Sequence, residues 1–354
     1  MTLLTKLTEI PHPMNIKDIN LADISRFRAE QMGVAMVIVV LFHVALPRSD
    51  AFFGLRRMGN LGVDIFLFLS GMGLWFSWMK TTVSTAPFWK KWRDFYWRRL
   101  VRVYPAWLVI ASLYYIPRFM AHESHTMAQW IDLILDIAIN WNFWTRDELT
   151  FWYIPATMML YVFAAPYMEL IRKHPVYRWL VAGMIMWCVA VQYVTPIHTT
   201  VGHIEIFWSR VPIFFLGINI AESVRKKETI DGSAIWLVAL LFAFSLATCV
   251  WLEQYKHGRF PLFLERMLYI PLAVTMILLL NKLFCHTPQW IKRAAAFIGT
   301  ISLEMYLIHV EFVMRPVERY HLGYWRTFLI VMAISIPLAW LLHKAIAKVQ
   351  KLIP

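Results

Sequence analysis

Apolar runs of about twenty residues, separated by short polar segments, recur along the whole chain. They fall at about 30–47, 61–79, 104–120, 127–144, 151–171, 178–195, 206–222, 234–252, 262–281, 296–314 and 327–347. A helix needs roughly 20 mostly apolar residues to cross a hydrocarbon core of ~30 Å. The pattern therefore predicts an all-α fold, a polytopic transmembrane helix bundle. The run at 127–144 is the weakest, because Asp132 and Asp136 stand four apart on one helical face and Asn140 and Asn142 follow. It reads as an interfacial or re-entrant helix, which leaves about ten spans.

Charge orients those spans. With the N-terminus inside, the cytoplasmic segments hold 23 of the 35 Lys and Arg residues and the outer loops only 10, and the densest cluster, Lys90 to Arg102, lies inside. Counting 127–144 as a span would put the clusters at Arg172, Arg225 and Lys292 outside, against the positive-inside rule. The expectation is both termini cytoplasmic, with a cytoplasmic N-terminal segment at 1–29, one integral-membrane domain at 30–347 and a cytoplasmic tail at 348–354. The first 23 residues show no apolar core followed by a small-residue cleavage site, so no removable signal peptide is expected and the first span does the targeting.

Composition agrees with a lipid bilayer as the surrounding partner. Hydrophobic residues make up 59% of the chain and charged ones 16%, against roughly 25% charged in soluble domains, and the 18 Trp and 14 Tyr suit two membrane interfaces. A net charge of +13 would point to nucleic acid in a soluble protein. Here the basic residues sit in short loops between spans, so no nucleic acid is expected. Cys188, Cys249 and Cys285 are far apart, without the spacing of a metal or redox pair, and no metal is expected.

Ionisable side chains inside spans cost on the order of 2.5 to 3.5 kcal/mol each and mark candidate function. They are His43, Asp64, Arg210, Glu265, Arg266, Glu304 and His309. In the proposed topology His43, Asp64, Arg210, Arg266 and His309 lie toward the outer half. The basic cluster containing Arg98, Arg99 and Arg102 lies at the inner face, which fits an anionic ligand arriving from inside. Each residue also has a plainer reading: a histidine capping a carbonyl, an arginine snorkelling to the interface, a carboxylate serving as a structural partner, a basic loop acting only as an orientation signal.

Four strings, in order, resemble the integral-membrane acyltransferase 3 family. Residues 33–43, GVAMVIVVLFH, resemble the first span with its terminal histidine, and 62–71, GVDIFLFLSG, the second span. Residues 95–105, FYWRRLVRVYP, resemble the cytoplasmic arginine motif, and 298–309, IGTISLEMYLIH, a late span with its own histidine. Two positions depart from the family pattern: Met32 stands where many members carry Arg, with Arg28 one turn earlier, and Thr157 where the family element WYIPAT often ends in Glu.

The resemblance implies an O-acyltransferase that moves an acetyl or other short acyl group from cytoplasmic acyl-CoA, acetyl-CoA above all, to a hydroxyl of an extracytoplasmic surface glycan or glycolipid. It implies a multi-pass protein of a bacterial inner (cytoplasmic) membrane, with His43 at the catalytic centre and Arg98, Arg99 and Arg102 on the CoA phosphates. Imidazole suits removal of a proton from a sugar hydroxyl. Asp64 or Glu304 could orient it, His309 joins the catalytic candidates, and Arg210 or Arg266 could stabilise an oxyanion. Trp152 and Tyr153 could stack on a sugar, although an aromatic belt accounts for them as well. No appended soluble domain is expected. The alternative is a secondary transporter or flippase using the same intramembrane residues, although no internal symmetry of the kind such folds carry is visible.

Overall fold

A computed structural model describes residues 18–83, 85, 87–121, 126–146 and 148–353. Most of the N-terminal segment, including Lys6 and Lys17, and the final Pro354 lie outside the described residues. About 85% of the chain is helical, and the sole sheet among the described residues is an antiparallel pair of two-residue strands, Ile19–Asn20 with Thr229–Ile230.

The principal helices are α1 (Arg28–His43), α2 (Leu61–Val83), α3 (Phe88–Met120), α4 (Met127–Ile139), α5 (Tyr153–Lys173) and α6 (Leu180–Tyr193). They continue with α7 (Val211–Arg225), α8 (Ile235–Lys256), α9 (Leu262–His286), α10 (Gln289–Thr300), α11 (Ser302–Ile308) and α12 (Tyr324–Leu352). Seven helices among the described residues are long and apolar enough to cross a membrane. The number rises to nine if two bent pairs each count as one span, Thr195–Trp208 with Val211–Arg225 (46°) and Gln289–Thr300 with Ser302–Glu318 (60°). The remaining apolar run of the ten, at 30–47, is helical only over the 16 residues of α1, because Val44 turns extended three residues before Pro47. Helix α4 has 13 residues, roughly 20 Å.

Helix α2 is the centre of the bundle, with 83% of the most apolar stretch of Phe53–Val83 buried; the corresponding figure for Gly232–Lys256, which contains α8, is 17%. Their sequences explain the difference. Helix α8 is large and apolar all round, as a lipid-facing helix should be, whereas α2 carries small residues on several faces. Gly71 rests on the Phe214 carbonyl of α7 and Gly217 on the Phe68 carbonyl of α2, with no room at either for a Cβ. A second such crossing joins α1 to α10, where Gly33 meets the Ala295 carbonyl and Gly299 meets that of Ala29. Small residues let helix backbones approach closely, which supplies the van der Waals contact that drives association in lipid.

The predicted run at 296–314 is not one straight helix. The chain bends at Ile301 between α10 and α11, and after Ile308 it widens into a π-helical stretch, His309–Met314. Pro316 follows; it lacks the N–H that would bond the Phe312 carbonyl and its ring crowds that carbonyl, a physical reason for the loosened turn.

Candidate functional site

The two glycine contacts between α1 and α10 fix how near α1 lies to the α10–α11 unit, and at the far end of that contact the two histidines meet. Nε2 of His309 stands 3.3 Å from Nδ1 of His43, with the rings edge to face at 5.0 Å between centroids. His309 is fully buried, and its Nδ1 faces the carbonyls of Met305 and Tyr306 at 3.0 and 2.9 Å. Carbonyls only accept, so a neutral His309 carries its proton on Nδ1 and presents a lone pair at Nε2. Nδ1 of His43 lies between that lone pair and the Val39 carbonyl, 2.8 Å away, and so must be the donor. This assignment leaves Nε2 of His43 unprotonated, as a base requires.

A cavity of about 380 Å³ runs along the inside of the bundle, within the roughly 300–1,000 Å³ usual for small-molecule sites. Helix α1 lines it with Arg28, Met32 and Val39, and α5 with Tyr153, Thr157 and Tyr161. Spacings of four and seven place the α1 residues on one face, and His43 is the next position on that face, one turn or ~6 Å beyond Val39. Tyr306, whose carbonyl faces His309, lines the same end. At the other end Arg102 adjoins Gln350, which donates to the Val101 carbonyl at 3.0 Å. Arg28 enters the cavity from α1, its Nε on the Leu69 carbonyl at 3.2 Å and its guanidinium over Gly73, 3.2 Å from where a Cβ would stand. The cavity thus has two arginines toward one end and the histidine pair one turn beyond the other.

The remaining arginines of the basic cluster lie around this mouth. Arg98 donates to Thr81 Oγ1 at 2.8 Å and shares a shallow depression with Arg102 and Gln350. Arg99 lies against the Phe95 ring at 4.0 Å and faces an adjoining groove bounded by Tyr161. Met32 and Thr157, the two departures from the family pattern, both line the cavity.

Neither expected carboxylate touches a histidine of the pair. Asp64 instead faces Arg210 at 3.4 Å, both buried, and Arg266 faces Glu205 at 3.8 Å. Next to them Glu253 accepts from Arg57 (3.0 Å) and Tyr269 (3.2 Å). Neither Arg210 nor Arg266 lines the cavity, and the backbone carbonyls of Val39, Met305 and Tyr306 do the orienting that a carboxylate was expected to do. Glu304 does line it, paired with His343 Nδ1 at 2.8 Å. Tyr153 lines the cavity, with its backbone N–H on the Tyr306 hydroxyl at 3.2 Å, and Trp152 is packed in the core; neither forms an exposed stacking platform.

Two cavity residues carried little or no signal in the sequence. Arg28 was visible only as a displaced stand-in for Met32, and His343 lies in a terminal span whose Lys344 and Lys348 give it the look of an interfacial end. Among the described residues no group of three or more His, Cys, Asp or Glu gathers in a way that could hold a metal ion.

Comparison with known proteins agrees with this architecture. The family model described as an acyltransferase domain, that of the acyltransferase 3 family, matches residues 33–344. The chain is also similar to the Regulator of hypoxia-inducible factor 1 of Caenorhabditis elegans, 29% identical over 186 residues. That alignment takes in 44% of this chain and 35% of the worm protein, so it spans about a third of that relative's length. No solved structure matches the chain. The family match runs from α1 into α12, through both histidines and most of the cavity lining, leaving out Arg28, Met32, Ile346 and Gln350, and the chain accordingly belongs to the acyltransferase 3 family.

Proposed function

We propose that this protein takes an acetyl or other short acyl group from cytoplasmic acyl-CoA and passes it to a hydroxyl of an extracytoplasmic glycan or glycolipid, with His43 as the base. The observation that carries the reading is the cavity itself, which runs from Arg28 and Arg102 to Val39 and Tyr306, one turn short of the histidine pair. Guanidinium groups at a membrane surface suit the phosphates of the donor, and the enclosed stretch between them and His43 suits its pantetheine arm. His43 Nε2 takes the proton of the attacking hydroxyl, and His309 holds the tautomer that leaves Nε2 free. Arg98 and Arg99, beside the mouth, add positive potential for the donor. Family membership does not favour the transporter alternative.

The topology that belongs to this reading has ten spans, both termini cytoplasmic and α4 lying at the outer interface. Contacts between loops support it. Asp18, Lys282, Thr229 and Ile230 gather with Ile19 and Asn20 at one end of the bundle, through the small sheet and the Lys282 bond to the Asp18 carbonyl at 3.1 Å. Segments assigned outside also meet: Arg48 donates to the His257 carbonyl at 2.8 Å and Glu318 accepts from the Ala45 N–H at 3.0 Å. At the two ends of the α4 region Arg118 faces Glu311 at 3.7 Å and His203 faces the Trp144 carbonyl at 3.0 Å, partners that the ten-span count places on the same side. A cytoplasmic membrane is the proposed location.

The test is acyl-CoA binding and CoA release by the detergent-purified protein. Wild type should bind acetyl-CoA, Arg102→Ala should bind it roughly ten- to hundredfold more weakly, as loss of a charged hydrogen bond predicts, and His43→Ala should bind without turnover. Turnover retained in His43→Ala would remove that residue from the centre of the reaction, and no interaction of folded wild type with any short acyl-CoA would sink the function.

A further inference from the structure

Between the arginines and the histidine pair the cavity holds a second acid–base group that the reaction above leaves unused. His343, Ile346 and Gln350 are spaced three and four apart on α12 and all line the cavity, so His343 stands two turns, about 10 Å, further in than the Gln350 mouth. Glu304 lies five residues before His309, about 7.5 Å short of the pair along the chain's rise. Nδ1 of His343 meets Glu304 Oε1 at 2.8 Å, and the Glu304 side chain is only 6% exposed. Its other oxygen, Oε2, is buried with no hydrogen-bond partner among the described residues.

The two histidine sites differ in their electrostatics. His43 and His309 are held by backbone carbonyls and by each other, an arrangement for neutral rings. His343 has a buried carboxylate on Nδ1, which supplies the countercharge of an imidazolium and leaves the Nε2 proton available to a cavity ligand, as in carboxylate–imidazole dyads generally. Groups whose surroundings separate them in this way divide acid and base duties.

We infer that His343, held by Glu304, is the general acid that protonates the departing thiolate of the acyl donor. The inference rests on the acyl-transfer reading. As the acceptor oxygen bonds to the thioester carbonyl carbon, its proton passes to His43 Nε2; the C–S bond then breaks and sulfur takes the Nε2 proton of His343. CoA leaves as the thiol through the arginine-lined mouth, His343 recovers a proton from water there, and His43 releases its own at the other end. Each acyl group transferred thus moves one proton inward at the mouth and one outward beyond His43, and all atoms balance.

The experiment uses the full chain in detergent and two acetyl donors, with water as acceptor: acetyl-CoA, and the acetyl thioester of 5-thio-2-nitrobenzoate, whose acidic thiol leaves without protonation. His343→Gln and Glu304→Gln, shown by thermal melting to be folded, should release CoA about a hundredfold more slowly than wild type at nearly unchanged KM, yet cleave the nitrobenzoate thioester within about threefold of wild type. Equal loss on both donors makes the pair structural and overturns the inference alone, as does full activity of His343→Gln with acetyl-CoA. Folded wild type that neither binds acetyl-CoA nor releases CoA from it overturns the function above and this step with it.

Discussion

His43 Nδ1 and His309 Nε2, 266 positions apart in the sequence, stand 3.3 Å from each other where α1 meets the π-helical turn that follows α11. The contact orders the tautomers of both rings, and it makes the two residues unequal. His43 keeps the free Nε2; His309 has all its ring nitrogens committed within the protein.

That inequality is the first prediction. His43→Ala should lower acyl transfer roughly a hundred- to ten-thousandfold, the range for loss of a general base. His309→Asn should lower kcat roughly ten- to hundredfold, a cost typical of a misplaced catalytic group, while KM for acyl-CoA stays the same because His309 lies beyond the donor cavity. Steady-state kinetics of the two variants side by side check this. Equal losses in kcat would mean that both rings touch the reacting atoms.

The second prediction concerns the spacing that brings the rings together. A Cβ at Gly299 would collide with the Ala29 carbonyl, whereas one at Gly183 would meet only the Trp179 ring at 3.7 Å. Gly299→Val should therefore force α1 from α10, costing about 1 to 3 kcal/mol in packing, and should lose most activity by pulling the histidines apart. Gly183→Val should be nearly silent in both melting temperature and turnover. A silent Gly299→Val would show that the α1–α10 crossing does not set the site.

The sequence made the spans legible because twenty apolar residues in a row have few other uses, and it marked His43 and His309 because a histidine among Val, Leu and Ile is costly there. What it hid depends on contact between distant segments. The bend at Ile301 lies inside an unbroken apolar run, and it is the resting of Gly299 on Ala29 that gives that bend a place in the packing. Asp64 and Glu304 looked equally suited to orient an imidazole; which partner each finds, Arg210 or His343, depends on how α2, α7, α11 and α12 cross. Arg28 looked displaced by one turn, and its guanidinium reaches the cavity over Gly73, where a Cβ would stand 3.2 Å from it.

The third prediction follows from the Asp64–Arg210 pair. Both side chains are buried, at 2% and 0% exposure, so removing one partner strands a charge in a dry interior. Asp64→Asn or Arg210→Met alone should cost about 3 to 5 kcal/mol, and the double variant should recover much of that loss. Melting temperatures of the full double-mutant cycle measure the coupling; additive losses would mean that the two residues do not act as a pair. Since neither side chain lines the cavity, the double variant should retain donor binding.

The last prediction concerns pH and lies outside the spans, at Asp136 of α4. Its carboxylate accepts from the Asn142 backbone N–H at 2.8 Å and from Asn142 Nδ2 at 2.5 Å. Burial raises the carboxyl to about 6; the Asn142 N–H opposes this, Glu148 and Asp132 add to it, and Arg146 counteracts them. A carboxyl raised above its unfolded value of 3.8 favours the folded state when protonated. The stabilisation is complete below pH 3.8 and is lost as pH rises through about 6. Thermal melts of wild type should therefore fall by a few °C across that window, on the order expected for a small free-energy change in a chain of this size, and Asp136→Asn should flatten the slope. The same slope in both proteins would place the titrating group elsewhere.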